Sequence, residues 1–475
     1  MFSFARRRYP VRLTNTLSGG KELFTPQKSH VSIYSCGPTV YGPQHIGNLR
    51  AIIFSDTLAR VLESAGYRTK RVVNITDVGH VVGDGDEGED KMSVGAKRDG
   101  TTPKEIADRY SRQYLHDIQV LNVDLHAIRF PRATHYIPDQ IAMIGELEKR
   151  GHTYQASDGI YFDTHTFPEY GKLGKRQEAK LIAGARVQMS EGKKDSRDFV
   201  LWRNAKPGDV QKWKSPWGEG NPGWSIECSA MIRTLLGKTI DIHTGGEDHI
   251  SIHHNNEIAQ SEGVTGQPLA RFWLHNAFLT IDGQKISKSL GNVYVLEDVI
   301  SRGFHPLSLR YFLLQAHYRT PLSFTWEALE ASSLALSSLW RMSVQIKKES
   351  KGKSVPSPTQ KELGMLAADD LNTPQVLGML WSALQNPALS AKQKWGVVRC
   401  AEGILGLSLL TPPKEALPFE ADSLPEDLRA LVEEREKARA SRDFAKADEL
   451  RIHLENRGYR VDDTPSGPLF TKIRK

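Results

Sequence analysis

Only three cysteines, Cys36, Cys228 and Cys400, occur among the 475 residues. Three thiols cannot staple a disulfide framework, so a reducing, cytoplasmic compartment is expected. There is no Cys-x-x-Cys pair, which removes the commonest local spacing of a zinc finger or ribbon. No apolar run approaches the ~20 residues that a membrane helix needs, so no membrane partner is expected. Arg6, Arg7, Arg8 and Arg12 open the chain without an apolar stretch among them, a pattern that does not match a secretory signal. The acidic, Gly-containing stretch from Asp84 to Asp90 lacks the Asp-x-Asp-x-Asp-Gly order of an EF-hand loop and reads as a solvated surface loop. No internal repeat is visible.

What is present is an ordinary globular composition, 39% hydrophobic and 25% charged, of a length suited to about three domains. The net charge is +7 and the isoelectric point about 9.0. A basic surface fits both a solvated housekeeping protein and a polyanion partner, because Lys and Arg gain affinity by releasing phosphate counterions. Charge alone does not separate the two.

His30 to Ser35 alternates apolar and polar residues and predicts a strand. From His45 to Ala65 the apolar residues fall at helical spacing, with Gly66 as the stop. Arg71 to Ile75 predicts a second strand. Strand, helix, strand is the opening of a parallel α/β sheet, and ligands of such sheets bind at the carboxyl ends of strands, where Cys36 and Thr76 fall. Helices are predicted over Lys104–Leu121 and Asp139–Arg150, irregular strands over Gly151–Trp217, and a strand over Thr239–His243. Helical periodicity dominates from Pro306. Pro356–Pro358 and Thr411–Pro413 read as linkers, and Leu428–Glu455 as a charge-laced helical stretch with a turn near Ser441.

Two groups of residues carry candidate chemistry. His253 and Glu257 are four apart and share a helix face. With thiolates from Cys36 and Cys228 they would make a four-ligand zinc set. A lone cysteine is more often a small buried hydrophobe, the reading given to Cys400. The crowding of His243, His249, His253 and His254 raises the case for chemistry without identifying a ligand. The second group is His45-Ile46-Gly47-Asn48, opening a helix, and Lys285-Ile286-Ser287-Lys288-Ser289 far downstream. Helix N-terminal N–H groups and an imidazole suit phosphates, and two lysines on a flexible loop suit a triphosphate whose charge moves. Taken singly, the lysine string is more often an exposed basic loop.

In content and order, these motifs resemble the cysteinyl-tRNA synthetases of class I. The deciding stretches are Cys36-Gly37-Pro38-Thr39-Val40-Tyr41, Asp198-Phe199-Val200-Leu201-Trp202, Gly223 to Met231, His253 to Ser261, and Lys285 to Asn292. The resemblance runs from Val11 to the C-terminus. It implies a Rossmann-like parallel-sheet catalytic domain over 1–325 with an insertion at about 120–220. A helical bundle over 326–412 and a small anticodon-binding region over 413–475 would follow.

The implied activity is ATP-dependent formation of cysteinyl-adenylate and transfer to the terminal adenosine of tRNA(Cys), by a monomer. One Zn2+ per chain is implied, on Cys36, Cys228, His253 and Glu257, with Mg2+ accompanying ATP. The resemblance further implies His45, Asn48, Lys285 and Lys288 as catalytic, His45 and Lys288 contacting ATP. It places Gly37, Thr39, Thr76, Trp224, His243 and Asp248 around the cysteine, and Arg439, Phe444, Asp448 and Asp463 on the anticodon. Asn48 departs from the commoner His and cannot be cationic. Ile286 replaces a commoner Met, a swap of similar volume. Phe444 stands where relatives often carry Trp. Two rival readings are a ligase delivering activated cysteine to an amino sugar and a non-catalytic RNA-binding paralogue.

Overall fold

The computed structural model describes residues 9–79, 91–174, 192–287, 290–414, 417, 419–464 and 467–472. Arg6–Arg8, the Asp84–Asp90 stretch and Lys288 lie outside the described residues.

A five-stranded parallel sheet organises the first half. Its spatial order is Ala270–Asn276, Ile240–Gly246, Val31–Ser35, Thr69–Val73 and Ile128–Arg129. All five residues of Val31–Ser35 are buried. The strand is therefore covered on both faces, as a central parallel strand must be, despite its alternating sequence. Its Ser32 is tolerated because both its N–H and its hydroxyl donate to the buried Asp241 carboxylate, at 2.9 and 2.8 Å. The chain leaves Val31–Ser35 in one direction across the sheet and later returns on its other side as Ile240–Gly246. Strand order reverses between those two, which is where open α/β sheets form ligand crevices.

The helix Ile46–Ser64 follows the first of these strands. His45 caps it, its ring accepting the Asn48 N–H at 3.2 Å, and Gly66, with φ of 91°, turns the chain away at the other end. Further helices run Pro103–Val120 and Ile137–Lys149. Where irregular strands were expected, an ordered five-stranded antiparallel sheet stands, in the order Thr153–Ala156, Gly159–Phe162, Phe199–Asn204, Gly218–Pro222, Trp213–Ser215. It closes on the fully buried Trp202 and a Phe162–Phe199 stack at 5.0 Å. The strand Ile128–Arg129, within the span 120–220, belongs instead to the parallel sheet.

Helices Trp326–Glu349, Pro358–Ala368, Thr373–Gln385 and Ala391–Leu405 form a bundle packed against Ile46–Ser64. Beyond it, Glu426–Ala440 and Phe444–Asn456 are joined by a tight turn through Arg442, at φ 61°, and followed by a hairpin of Tyr459–Thr464 with Gly467–Lys472.

One buried charge centre ties sheet, helix and bundle together. Asp56 receives Arg310 at 2.7 Å, Arg60 at 2.7 Å and Arg71 at 3.2 Å. Arg310 is fully buried and also donates to the Leu405 and Leu121 carbonyls at 2.7 and 2.9 Å. Burial pushes the Asp56 carboxyl upward, but Arg310, Arg60 and Arg71 outweigh it and hold the acid well below its usual range. The stabilisation is therefore present above the unfolded-state pKa near ~4 and is lost as pH falls toward the lowered folded value. Asp56→Ala strands Arg310 and should cost about 3–5 kcal/mol in urea unfolding at neutral pH. A loss under about 1 kcal/mol, in the range of an exposed ion pair, would remove this centre as a structural joint.

Candidate functional site

Four elements meet at the strand-order reversal. Cys36 follows directly on Val31–Ser35, its N–H donating to the Thr244 carbonyl of the neighbouring strand at 3.1 Å. Cys228 sits one turn into the helix Trp224–Leu235. His253 and Glu257 share one face of the helix His253–Thr265. The two sulfurs, one imidazole nitrogen of His253 and one carboxylate oxygen of Glu257 all lie within 4.8 Å of one another. Cys228, His253 and Glu257 are buried and Cys36 is half-buried.

This is a metal-competent arrangement on its own geometry. His253 Nε2 lies 2.9 Å from Glu257 Oε1 but off the line that a hydrogen bond requires, so both of its ring nitrogens are buried without a hydrogen-bond partner. Sulfur, nitrogen and oxygen ligand atoms gathered within reach of a shared point suit a cation of the zinc class. The thiols are unequal. A hydrogen bond from Cys36 brings Cys228 down to about 7, while burial and then the neighbouring Cys228 raise Cys36. One sulfur thus ionises readily and the other follows only if positive charge arrives.

A second ring of imidazoles braces the first. His243 Nε2 meets Glu257 Oε2 at 2.7 Å and stacks on Trp273 at 4.6 Å. His254 Nε2 is 3.3 Å from Cys36 Sγ, and its Nδ1 is 2.7 Å from His275 Nε2, whose other nitrogen is 2.8 Å from the Thr16 hydroxyl. Cys36, His243, His254 and Glu257 also converge within 4.8 Å, so histidine content alone admits two ligand sets. His254, His275 and His249 were not singled out from the sequence. Crowding hinted at two of them, but His275 reaches the site only because Ala270–Asn276 pairs with Ile240–Gly246, setting it opposite Gly245. A third grouping, Asp163, His165 and Asp198, lies on the antiparallel unit. There Asp198 already accepts from Thr164 and Tyr154.

Beside the cluster runs a chain of polar contacts. Gly37 donates to Asn74 Oδ1 at 2.8 Å, and Asn74 Nδ2 donates to Thr76 Oγ1 at 3.0 Å. Thr39 and Thr76 bridge as parallel partners, and Thr76 Oγ1 donates to the buried Glu227 at 3.3 Å. The Trp224 ring stands 4.4 Å from that of His253. Asp248 lies at the rim, largely exposed, 3.9 Å from His249 Nε2. The expected neighbours Gly37, Thr39, Thr76, Trp224 and His243 are therefore brought close, with Asp248 outermost.

The two nucleotide motifs also come together. A Cβ on Gly47 would lie 2.9 Å from Ile286 Cδ1 and 3.0 Å from the His45 ring. His45 Nδ1 accepts from the helix, so Nε2–H is the donor left over, and burial lowers the imidazole pKa, keeping it neutral. Asn48 is exposed on the first turn. Lys285 is exposed at the end of the short strand Gln284–Lys285, and Asn292 clasps the loop after it, accepting from Ser287 N–H at 2.8 Å and donating to the Lys285 carbonyl at 3.1 Å.

In the C-terminal unit Phe444 is 64% exposed and Asp448 faces solvent beside Arg451. Asp463 is already engaged. Arg435 donates to its two oxygens at 2.9 and 2.8 Å, and Arg439 pairs with it as well. The pairing holds the hairpin to Glu426–Ala440.

Residues 23–334 match the family model described as the tRNA synthetases class I (C) catalytic domain, and residues 421–467 match the cysteinyl-tRNA ligase anticodon binding domain. The chain is 44% identical over 463 residues to cysteine–tRNA ligase 1 of Burkholderia lata, covering 96% of each protein. It is 40% identical to the cysteine–tRNA ligase of Chlorobaculum tepidum, over 97% of this chain and 99% of the other. Among solved structures, the fold is similar to Mycobacterium tuberculosis methionyl-tRNA synthetase in complex with methionyl-adenylate. The TM-score is 0.56 at 14% identity, covering 82% of this chain and 92% of that one.

A side chain at position 37 has nowhere to go, since its Cβ would lie 1.7 Å from the Asn74 carbonyl oxygen. Gly37→Ala must part the strand end from its neighbour and is expected to cost about 1–3 kcal/mol in urea unfolding. Wild-type stability in this variant would show that the close approach is not obligatory.

Proposed function

Because the chain belongs to the cysteinyl-tRNA synthetase family, we propose that it activates L-cysteine with ATP and transfers it to the 3′-terminal adenosine of tRNA(Cys). The observation that carries the reading is the convergence of Cys36, Cys228, His253 and Glu257 at the strand-order reversal. In this reading the four residues hold one zinc ion. The ion supplies a site that prefers a thiolate to a hydroxyl. Serine differs from cysteine only in oxygen for sulfur, and a purely apolar pocket separates near-isosteres by only ~10–200-fold.

The other roles are proposed from the family resemblance. Gly37, Thr39, Thr76, Trp224 and His243 line the amino-acid side, with Asp248 at the mouth. His45 offers Nε2–H as a neutral donor to a phosphate oxygen at a helix N-terminus. Asn48 adds an amide rather than a charge. Lys285, Lys288 and a Mg2+ ion accompanying the triphosphate balance its charge. No protein nucleophile is needed, so positioning and charge stabilisation carry the rate. The cysteine carboxylate attacks the α-phosphorus, the bond to pyrophosphate breaks, and the tRNA hydroxyl later displaces AMP. The enzyme would work as a cytoplasmic monomer. Among the described residues, no helix is long and apolar enough to cross a membrane.

In the C-terminal unit, Arg439, Phe444, Asp448 and Asp463 are the proposed anticodon contacts. Phe444 is the freest of them, while Asp463 would have to exchange or share its arginine partners. Delivery to an amino sugar leaves this unit without a task, and a non-catalytic role leaves the buried metal-competent cluster without one.

Two experiments test the reading. Cys228→Ala is expected to lose bound zinc and to lower cysteine-dependent ATP–pyrophosphate exchange by about 100-fold or more. Unimpaired exchange in the zinc-free variant would rule out the metal's role. Phe444→Ala should leave that exchange unchanged while weakening tRNA(Cys) binding about 5–150-fold, the equivalent of ~1–3 kcal/mol of base stacking. Unchanged charging kinetics would take Phe444 off the interface.

A further inference from the structure

Arg50 belongs to the helix that His45 caps, and its side chain is buried in the protein, 3% exposed. Its hydrogen bonds there go to backbone carbonyls, with the Glu247 carboxylate close enough to favour its charge. Its Nη1 donates to the Ala277 and Phe278 carbonyls at 2.8 and 2.6 Å. Its Nη2 donates to Thr320 at 2.6 Å, with His317 and Tyr318 at 3.4 and 3.5 Å.

These carbonyls mark the place where two strands begin. Ala277 and Phe278 lead into Leu279–Ile281, which pairs antiparallel with Gln284–Lys285. Thr320 leads into Leu322–Phe324, which pairs with Leu279–Ile281 in parallel. One guanidinium therefore grips both strands that support the Lys285 hairpin. Glu247, from the segment after Ile240–Gly246, steadies the same spot by accepting the Phe278 N–H at 2.9 Å. At the other end of the hairpin, Ile286 touches the Gly47 position of the first motif.

We propose that Arg50 is a positioning residue that fixes the lysine-bearing hairpin in register with the His45 helix, so that both nucleotide motifs address one phosphate chain. The inference rests on the ATP-dependent reading above. The planar fork is the feature that matters. A guanidinium can bond several carbonyls in two directions at once, whereas a lysine ammonium is a point charge that cannot span them. A rate that depends on positioning is sensitive to such slack, because a displacement of about 1 Å can cost about 100-fold.

Arg50→Lys keeps the charge and removes the fork. In the zinc-loaded full chain, the kcat of cysteine-dependent ATP–pyrophosphate exchange should fall about tenfold or more, with zinc content and the KM for cysteine unchanged. Guanidinium ion added to Arg50→Ala should restore part of that kcat. Glu247→Ala loosens the same junction from a less buried position and should lower kcat in the same sense, which carries the test if the Arg50 variants do not fold. Wild-type kcat in folded Arg50→Lys overturns the proposal, as does wild-type kcat in folded Glu247→Ala where only that variant folds. So does a loss in which zinc content and kcat fall while the KM for cysteine rises. Absence of exchange in the wild-type protein would instead refute the underlying function.

Discussion

The structure depends on holding two sulfurs, an imidazole and a carboxylate around one point, with both ring nitrogens of His253 left without a hydrogen bond. Buried polar atoms normally pair off. Here His253 keeps both ring nitrogens free of hydrogen bonds although Glu257 is 2.9 Å away. The fold enforces this by drawing the four groups from three elements. Cys36 is fixed by a strand end, Cys228 by one helix, and His253 and Glu257 by another. The surrounding imidazoles and Trp273 fill the space that water would otherwise take.

The same economy appears at larger scale. The helix Ile46–Ser64 carries His45 as its N-cap, Arg50 one turn in, and Asp56 beyond that. Arg50 contacts the strands of the lysine hairpin, and Asp56, through Arg310, the helical bundle. A single helix thus sets hairpin and bundle in one frame. Buried charges are expensive unless fully paired, and Asp56 meets that condition with three guanidinium groups.

Much of this was legible in the sequence, for physical reasons. The helix after His45 shows because its apolar period is long and its stop is a glycine. The strand end before Cys36 shows because Gly37-Pro38 breaks the alternation, whereas the second strand, expected over Arg71–Ile75, runs Thr69–Val73. The turn at Ser441 shows because the helical period breaks there. The ordered antiparallel sheet did not show. Its strands are short, and Gly, Lys and Trp alternate without a clean two-residue period, so Trp202 and the Phe162–Phe199 stack define it only once the strands pair. Nor did the sequence disclose His275, Asn74 or Arg50, whose partners lie across strands or in other segments. A histidine's role is set by what faces it, and that depends on register. Lys288 was named from its motif alone and lies outside the described residues.

X-ray absorption at the zinc edge addresses the central claim most directly. The account predicts two sulfur neighbours at the metal in the resting protein and three after L-cysteine is added, with L-serine leaving the count at two. A zinc shell without sulfur, or a sulfur count that L-cysteine does not raise, would contradict it.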